Sequence, residues 1–369
     1  MAARVAPGRL IHTGGSVADT ASSAPETGTP RDSISFPHLV LSGHTDSVSS
    51  VAWSNDGRKV LTGSSDGAAK VFGTGSGRCE LTFAGHEGAI LSLAISPSGA
   101  KVLTASADRT ARIWNIKTAA CERILEGHNG PVMLAKFSPD GTKVLTASAD
   151  KTARIWLANT GEQLQKCSGH TAALYTAAFS PDGQKVLTAC HDRMARLFSV
   201  GGGLEHTLSG HSAQVYSAIF SRDGKVLTAS GDGTAKLFDV ATGSCLQTFA
   251  SHTEAVYTAV FSPDMKQVLT GSADQTARLF DLETGEVRQV FAGAELAVHT
   301  VGFSEDGGRV LTAADDRAVR VFDAATGNLL RTFEGHGEHV YSACFSPNFK
   351  QVLTGAEDWT AKIWDVDAA

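Results

Sequence analysis

Short apolar runs separated by polar turns recur along this chain at a fixed interval. One interval shows the pattern clearly. Val132 to Phe137 reads as an apolar first strand, and Ser138-Pro139-Asp140-Gly141 reads as a turn. Proline presets φ at the second turn position, aspartate bonds its own backbone, and glycine tolerates φ above zero. Val144 to Ser148, β-branched and small, predicts a second strand; Ala149-Asp150-Lys151 turns; Thr152 to Trp156 predicts a third. Ala147 and Ala153 are small, as residues between closely stacked sheets must be. With small changes, Ser138 to Trp156 returns until eight copies are counted, so the chain is one small unit in tandem.

The copies open at Gly43-His44, Gly85-His86, Gly127-His128, Gly169-His170, Gly210-His211, Ser251-His252, Gly293-Ala294 and Gly335-His336, spaced 41 or 42 residues apart. They close on Phe72, Trp114, Trp156, Phe198, Phe238, Phe280, Phe322 and Trp364. That spacing is the length of a four-stranded propeller blade, not of a helical repeat. The turn weakens in copy six, where Asp264-Met265 lacks the glycine, and in copy eight, with Asn348-Phe349. Phe36 to Leu41 matches the outer strand that precedes each later Gly-His, yet no copy comes before it, and the sequence given stops just after Trp364. The N-terminal strand is therefore expected to complete the last blade and close the ring, which removes exposed sheet edges. The predicted fold is all-β, a closed eight-bladed propeller of four-stranded antiparallel blades over residues 38–369.

The Gly-His start, the Ser-Pro-Asp-Gly turn, the S-x-D-x-T turn and Trp364-Asp365 resemble the WD-repeat β-propeller family, over roughly residues 38 to 367. The terminal dipeptide is degenerate: Trp114-Asn115 and Trp156-Leu157 come nearest to it, and copies four to seven use Phe. The resemblance implies a noncatalytic scaffold whose repeated His, Asp, Ser or Thr, and Trp form an internal hydrogen-bond network in each blade.

Asp66, Asp108, Asp150, Asp192, Asp232, Asp274, Asp316 and Asp358 fill one repeat position, and a threonine fills another in every copy. His, Asp and hydroxyl together suggest a catalytic triad, but eight identical triads would make a strange enzyme. A half-buried carboxylate needs donors, and imidazole, hydroxyl and indole supply them. Only three copies hold the full set: His86, Thr104, Asp108 and Trp114; His128, Thr146, Asp150 and Trp156; His336, Thr354, Asp358 and Trp364. Copy seven has Ala294 for the histidine and is expected to be the least rigid blade. A basic residue two positions before each closing aromatic, such as Arg154 or Arg320, reads as a structural cation laid along apolar surface rather than a phosphate site.

The positions that vary carry the functional expectation. One residue into each first strand the copies read Ser49, Leu91, Met133, Tyr175, Tyr216, Tyr257, His299 and Tyr341, which accounts for all four tyrosines. In the family this position rims the central opening on the top face, where peptides and proteins dock. Tyrosine gives a large rigid contact with a polar tip, which suits an interface; the alternative is that the rings plug the channel. The residue before each repeated Asp also varies, with Ser65, His191, Asp315 and Glu357 the polar members, and Trp359 stands outside the core pattern. His339, Tyr341, Glu357 and Trp359 make blade eight the expected hot spot.

Bulk properties narrow the partner. The net charge is −6 from 32 basic and 38 acidic residues, with no polybasic block, so nucleic acid and anionic membrane are not expected partners. No apolar run reaches membrane-spanning length. Six scattered cysteines without a Cys-x-x-Cys pair fit reduced thiols in a cytoplasmic protein, with no metal and no cofactor expected. Residues 1–37 lack the repeat and read as a disordered tail, although the first 18 residues, with Arg4 and Arg9 and no acid, faintly resemble a transit peptide. The expected function is a monomeric, noncatalytic scaffold for protein or peptide partners in a multiprotein complex. The alternatives are an enzyme or small-ligand binder in the channel, for which Asp315, Asp316 and His299 come nearest, and a nucleic-acid binder.

Overall fold

The computed structural model describes residues 34, 35 and 37–367, and among these every regular element is a strand. Blade three shows the unit: Val132–Phe137, Lys143–Ser148, Ala153–Leu157 and Gln163–Cys167 form an antiparallel meander in chain order. The Ser-Pro-Asp-Gly turn joins the first two strands, with Gly141 at φ 72° and Thr142 N–H bonded to Asp140. Met265 and Phe349 adopt the same left-handed conformation at φ 62° and 59°, so blades six and eight keep the turn without the glycine. Each such residue carries a strain of about 1–2 kcal/mol.

Eight such sheets make the ring. The first strand of each blade packs on the first strand of the next, including blade eight on blade one, so the circle closes. Leu39–Leu41 is the outer strand of blade eight, with Leu39, Val40 and Leu41 opposite Ile363, Lys362 and Ala361. Two residues of the expected tail, Ile34 and Ser35, form a short strand. Ile34–Ser35 runs parallel to the outer strand of blade seven, opposite Thr332 and Phe333, and makes that sheet five-stranded. The main-chain groups of Leu329–Phe333 have one edge free for such an addition. Residues 1–33 and 36 of the expected tail lie outside the described residues.

The core lies between blade faces. Leu103, Ala105, Ala111 and Ile113 of blade two meet Val132, Ala135, Val144 and Trp156 of blade three, all buried. Small residues set the spacing: a Cβ on Gly355 would lie 2.6 Å from Val51 Cγ1, and one on Gly63 would lie 2.8 Å from Ile90 Cγ2. Each large apolar side chain buried at these seams contributes about 1.5–3 kcal/mol.

Candidate functional site

Beneath the top face each blade carries a polar clamp. In blade three His128 Nδ1 donates to Asp150 Oδ2 at 2.8 Å, Thr146 Oγ1 donates to His128 Nε2 at 2.8 Å, and Trp156 Nε1 donates to Thr146 Oγ1 at 2.9 Å. The carboxylate only accepts, so Nδ1 carries the proton and each bond down the chain has one direction. Asp150 also accepts from the backbone N–H of Asn129 and Thr152 and from the Thr152 hydroxyl. Burial lowers the His128 pKa against the opposing pull of Asp150, which holds the ring neutral. Burial alone would raise the Asp150 pKa, but bonds from Thr152, His128 and Asn129 N–H outweigh it and bring it to about 2.

The clamps of blades two and eight match. Trp114 and Trp364 donate to Thr104 and Thr354 at 2.9 Å, while His86 and His336 bridge to Asp108 at 2.6 Å and Asp358 at 2.8 Å. Blades one, four, five and six keep the His–Asp and His–Thr bonds with Phe at the closing position. In blade seven, which lacks the imidazole, Arg320 Nη2 reaches Asp316 Oδ2 at 2.8 Å beside the Glu295 N–H at 2.9 Å, a contact that Arg196 also makes to Asp192 at 2.8 Å in blade four with His170 in place. In blade four His170, Cys190 and Asp192 bring three metal-ligating atom types within 4.8 Å. Cys190 stands where blades three and five have Ser148 and Ser230, and it accepts the same Asp N–H and reaches the same carbonyl. Burial pushes the Cys190 pKa up to about 12.

The varied position has a local cause that the sequence pattern does not display. Every first strand breaks register after its opening residue: Val132 pairs with Ser148, the next pair is Leu134 with Ala147, and Met133 is left over. The same skip frees Tyr175, Tyr216, Tyr257, His299 and Tyr341, as well as Ser49 and Leu91. A β-bulge takes one residue out of the ladder and re-aims its side chain. Beside it, the residue before each clamp aspartate is tied to the opposite loop: Ala149 N–H bonds Pro131, His191 bonds Ala173, Asp315 bonds Ala297 and Glu357 bonds His339. Both variable positions thus belong to one rim.

The rings form a continuous arc. Tyr175 and Tyr216 are 5.4 Å apart between centroids, Tyr216 and Tyr257 5.3 Å, and Tyr257 and His299 4.8 Å. Tyr175 is buried and its hydroxyl bonds His191 Nδ1 at 2.9 Å, so this end of the arc is internal. Tyr216, Tyr257, His299, Tyr341, Leu91 and Met133 are half-buried, and Trp359 is 53% exposed in its turn. At the other end Asp315 is buried between two imidazoles. His299 Nε2 approaches Asp315 Oδ2 at 2.6 Å with an alignment outside hydrogen-bond geometry, and His339 Nδ1 donates to the Asp315 carbonyl at 2.5 Å. Asp316, grouped with these in the enzyme alternative, belongs instead to the blade-seven clamp.

Two features of the rim escaped the sequence reading. Gln214 Nε2 reaches His191 Nε2 at 2.8 Å and ties blade five to blade four. Charge is also divided: the top loops of blades six to eight carry Glu254, Glu295, Asp315, Glu338 and Glu357 against Arg317, while blades three and four carry Lys151 and Arg193 with no acid beyond the clamp. Aligning the copies at the residues after each His and each Asp exposes that split.

Fold and clamp together define an eight-bladed propeller of tandem repeats with a polar interior and a varied rim. Eight consecutive segments, 36–72, 77–115, 119–156, 161–199, 202–239, 243–281, 285–323 and 327–365, match the family described as WD domain, G-beta repeat, and the chain belongs to that family. No curated protein matches it. Among solved structures it is similar to the crystal structure of the computationally designed Ika8 protein, at 27% identity and a TM-score of 0.81, covering 89% of this chain and 99% of that one. WD-repeat domains serve generally as protein-interaction scaffolds and are typically noncatalytic.

Proposed function

We propose that this protein is a noncatalytic scaffold that binds a peptide or a partner protein across the top face. The observation that carries the reading is the arc of bulge residues, with neighbouring rings 4.8 to 5.4 Å apart and the members beyond Tyr175 half-exposed. Rigid aromatic surface is recruited to interfaces because it gives contact area at low entropic cost. The proposed setting is a monomeric propeller in the cytoplasm, within a larger protein complex, and the six free cysteines suit a reducing compartment. The acidic balance of the chain speaks against nucleic acid and anionic membrane as partners.

The test is affinity capture followed by mass spectrometry with the wild type and a Tyr216→Ala, Tyr257→Ala, Trp359→Ala variant. Partners captured by the wild type are expected to be lost while the thermal midpoint moves by only a few degrees. A collapse of the midpoint would assign the rings to plugging the channel.

A further inference from the structure

We infer that the occupant of the top face is a peptide segment of a partner protein that presents a single basic side chain, arginine before lysine, to the Tyr257–His299–Asp315 end of the arc. This rests on the top-face reading and gives that reading its chemistry.

The ring faces come first. Tyr257 and His299 stand with centroids 4.8 Å apart, and Tyr216 continues the surface at 5.3 Å. A cation within about 6 Å of such a ring is attracted by its electron-rich face. The charge beside these rings has the matching sign. Asp315 lies against His299 at 2.6 Å, and Glu357, bonded through its N–H to the His339 carbonyl, occupies the equivalent position one blade on. Glu254 and Glu295 are exposed in the adjoining loops, with Arg317 the single base among the same loops of blades six to eight. A planar guanidinium can stack on a ring and pair with a carboxylate at once, whereas an ammonium does one or the other less well. Arginine therefore fits this end better than lysine.

The far side of the rim limits the rest of the segment. Lys151 and Arg193 are both exposed there, each in the turn after its clamp aspartate. A uniformly basic tract would meet repulsion on that side, and a polyanion would meet it over blades six to eight. The segment that satisfies both sides carries one cation with neutral or acidic neighbours.

The experiment uses the full chain and short labelled peptide pools with Arg, Lys, Glu or Leu fixed at the centre of an otherwise neutral random sequence. The Arg pool is expected to bind most tightly, and the Glu pool about tenfold or more below it. Tyr257→Ala should weaken the Arg pool about tenfold, and the charge-only variant Glu254→Gln, Glu357→Gln should weaken it about threefold with the fold intact. If the Glu or Leu pool binds as well as the Arg pool, and Tyr216→Ala, Tyr257→Ala abolishes that binding, the basic anchor is wrong while the top-face site stands. If no pool binds above that double variant, both readings fail. An oligonucleotide that binds more tightly than the Arg pool overturns the inference in favour of a nucleic-acid partner.

Discussion

Blade three and blade seven use the same polar inventory in opposite places. In blade three the imidazole of His128 is inside, relaying between Thr146 and Asp150, and the rim residue is the aliphatic Met133. In blade seven the interior imidazole is missing, Arg320 holds Asp316, and the histidine appears at the rim as His299 against Asp315. A guanidinium two residues before the closing aromatic reaches the clamp carboxylate in blade four as well, at 2.8 Å beside His170, so in blade seven the same contact remains where the imidazole is gone. Rim and clamp are thus independent: one blade can lose a clamp residue and gain a rim residue without changing its sheet.

Acid should separate the two blades most strongly. Burial lowers the pKa of the clamp histidines below the ordinary 6.5, to about 4 for His170. The unfolded chain therefore binds more protons than the folded one between those values, so stability falls as pH drops from 6.5 towards 4. A second loss follows as pH falls from 3.8 through the lowered aspartate values, about 2 for Asp150. Seven histidine clamps share the first window and blade seven does not. Hydrogen exchange at mildly acidic pH is expected to rise in the second strands of the histidine blades before it rises in Arg309–Ala314. Uniform acceleration across all blades would sink this distinction.

Substitution at neutral pH gives the next largest effect. His128→Ala leaves Asp150 and Thr146 without their shared partner in a buried site and should cost about 2–3 kcal/mol in urea unfolding. The matching test in blade seven is Arg320→Ala, which should cost a similar amount, about 2 kcal/mol or more, because it uncovers Asp316. Arg154→Ala in blade three should cost about half of that, since Arg154 stands 4.0 Å from Asp150 and His128 already serves the carboxylate. Equal costs for the two arginines would mean that Arg320 is not a replacement for the histidine.

The ring, the strand order and the closing of blade eight by Leu39–Leu41 follow from the repeat and its turn chemistry, because each copy repeats the same φ requirements and apolar alternation. The clamp residues were legible for the same reason. Three things were not. The bulge that re-aims Met133 and Tyr257 is a register skip, and it leaves no residue type of its own in the sequence. The reach of Arg320 to Asp316 depends on a long side chain crossing space that spacing alone does not measure. Ile34–Ser35 joins blade seven through main-chain pairing, which any sequence can offer. Likewise, the four tyrosines pointed to the rim, but only their positions separate Tyr175, tied to His191, from the half-exposed Tyr257.

The smallest expected effect concerns the closing aromatic. Trp114 adds one bond to its clamp, indole N–H to Thr104 Oγ1 at 2.9 Å, and its ring lies 5.8 Å from Phe83 and 6.1 Å from His86. In blade six Phe280 fills the same place, 5.5 Å from Phe249 and 6.3 Å from His252, so the ring contacts survive without the indole. Trp114→Phe should therefore remove little beyond one hydrogen bond and some buried area, about 1 kcal/mol, or a few degrees in the thermal midpoint. Thr104 keeps His86 as its partner at 2.7 Å, so no buried hydroxyl is stranded. A cost as large as that of His128→Ala would reverse the ranking. The indole would then be the hinge of the clamp in blades two, three and eight, and the Phe blades would be held together by contacts of a different kind.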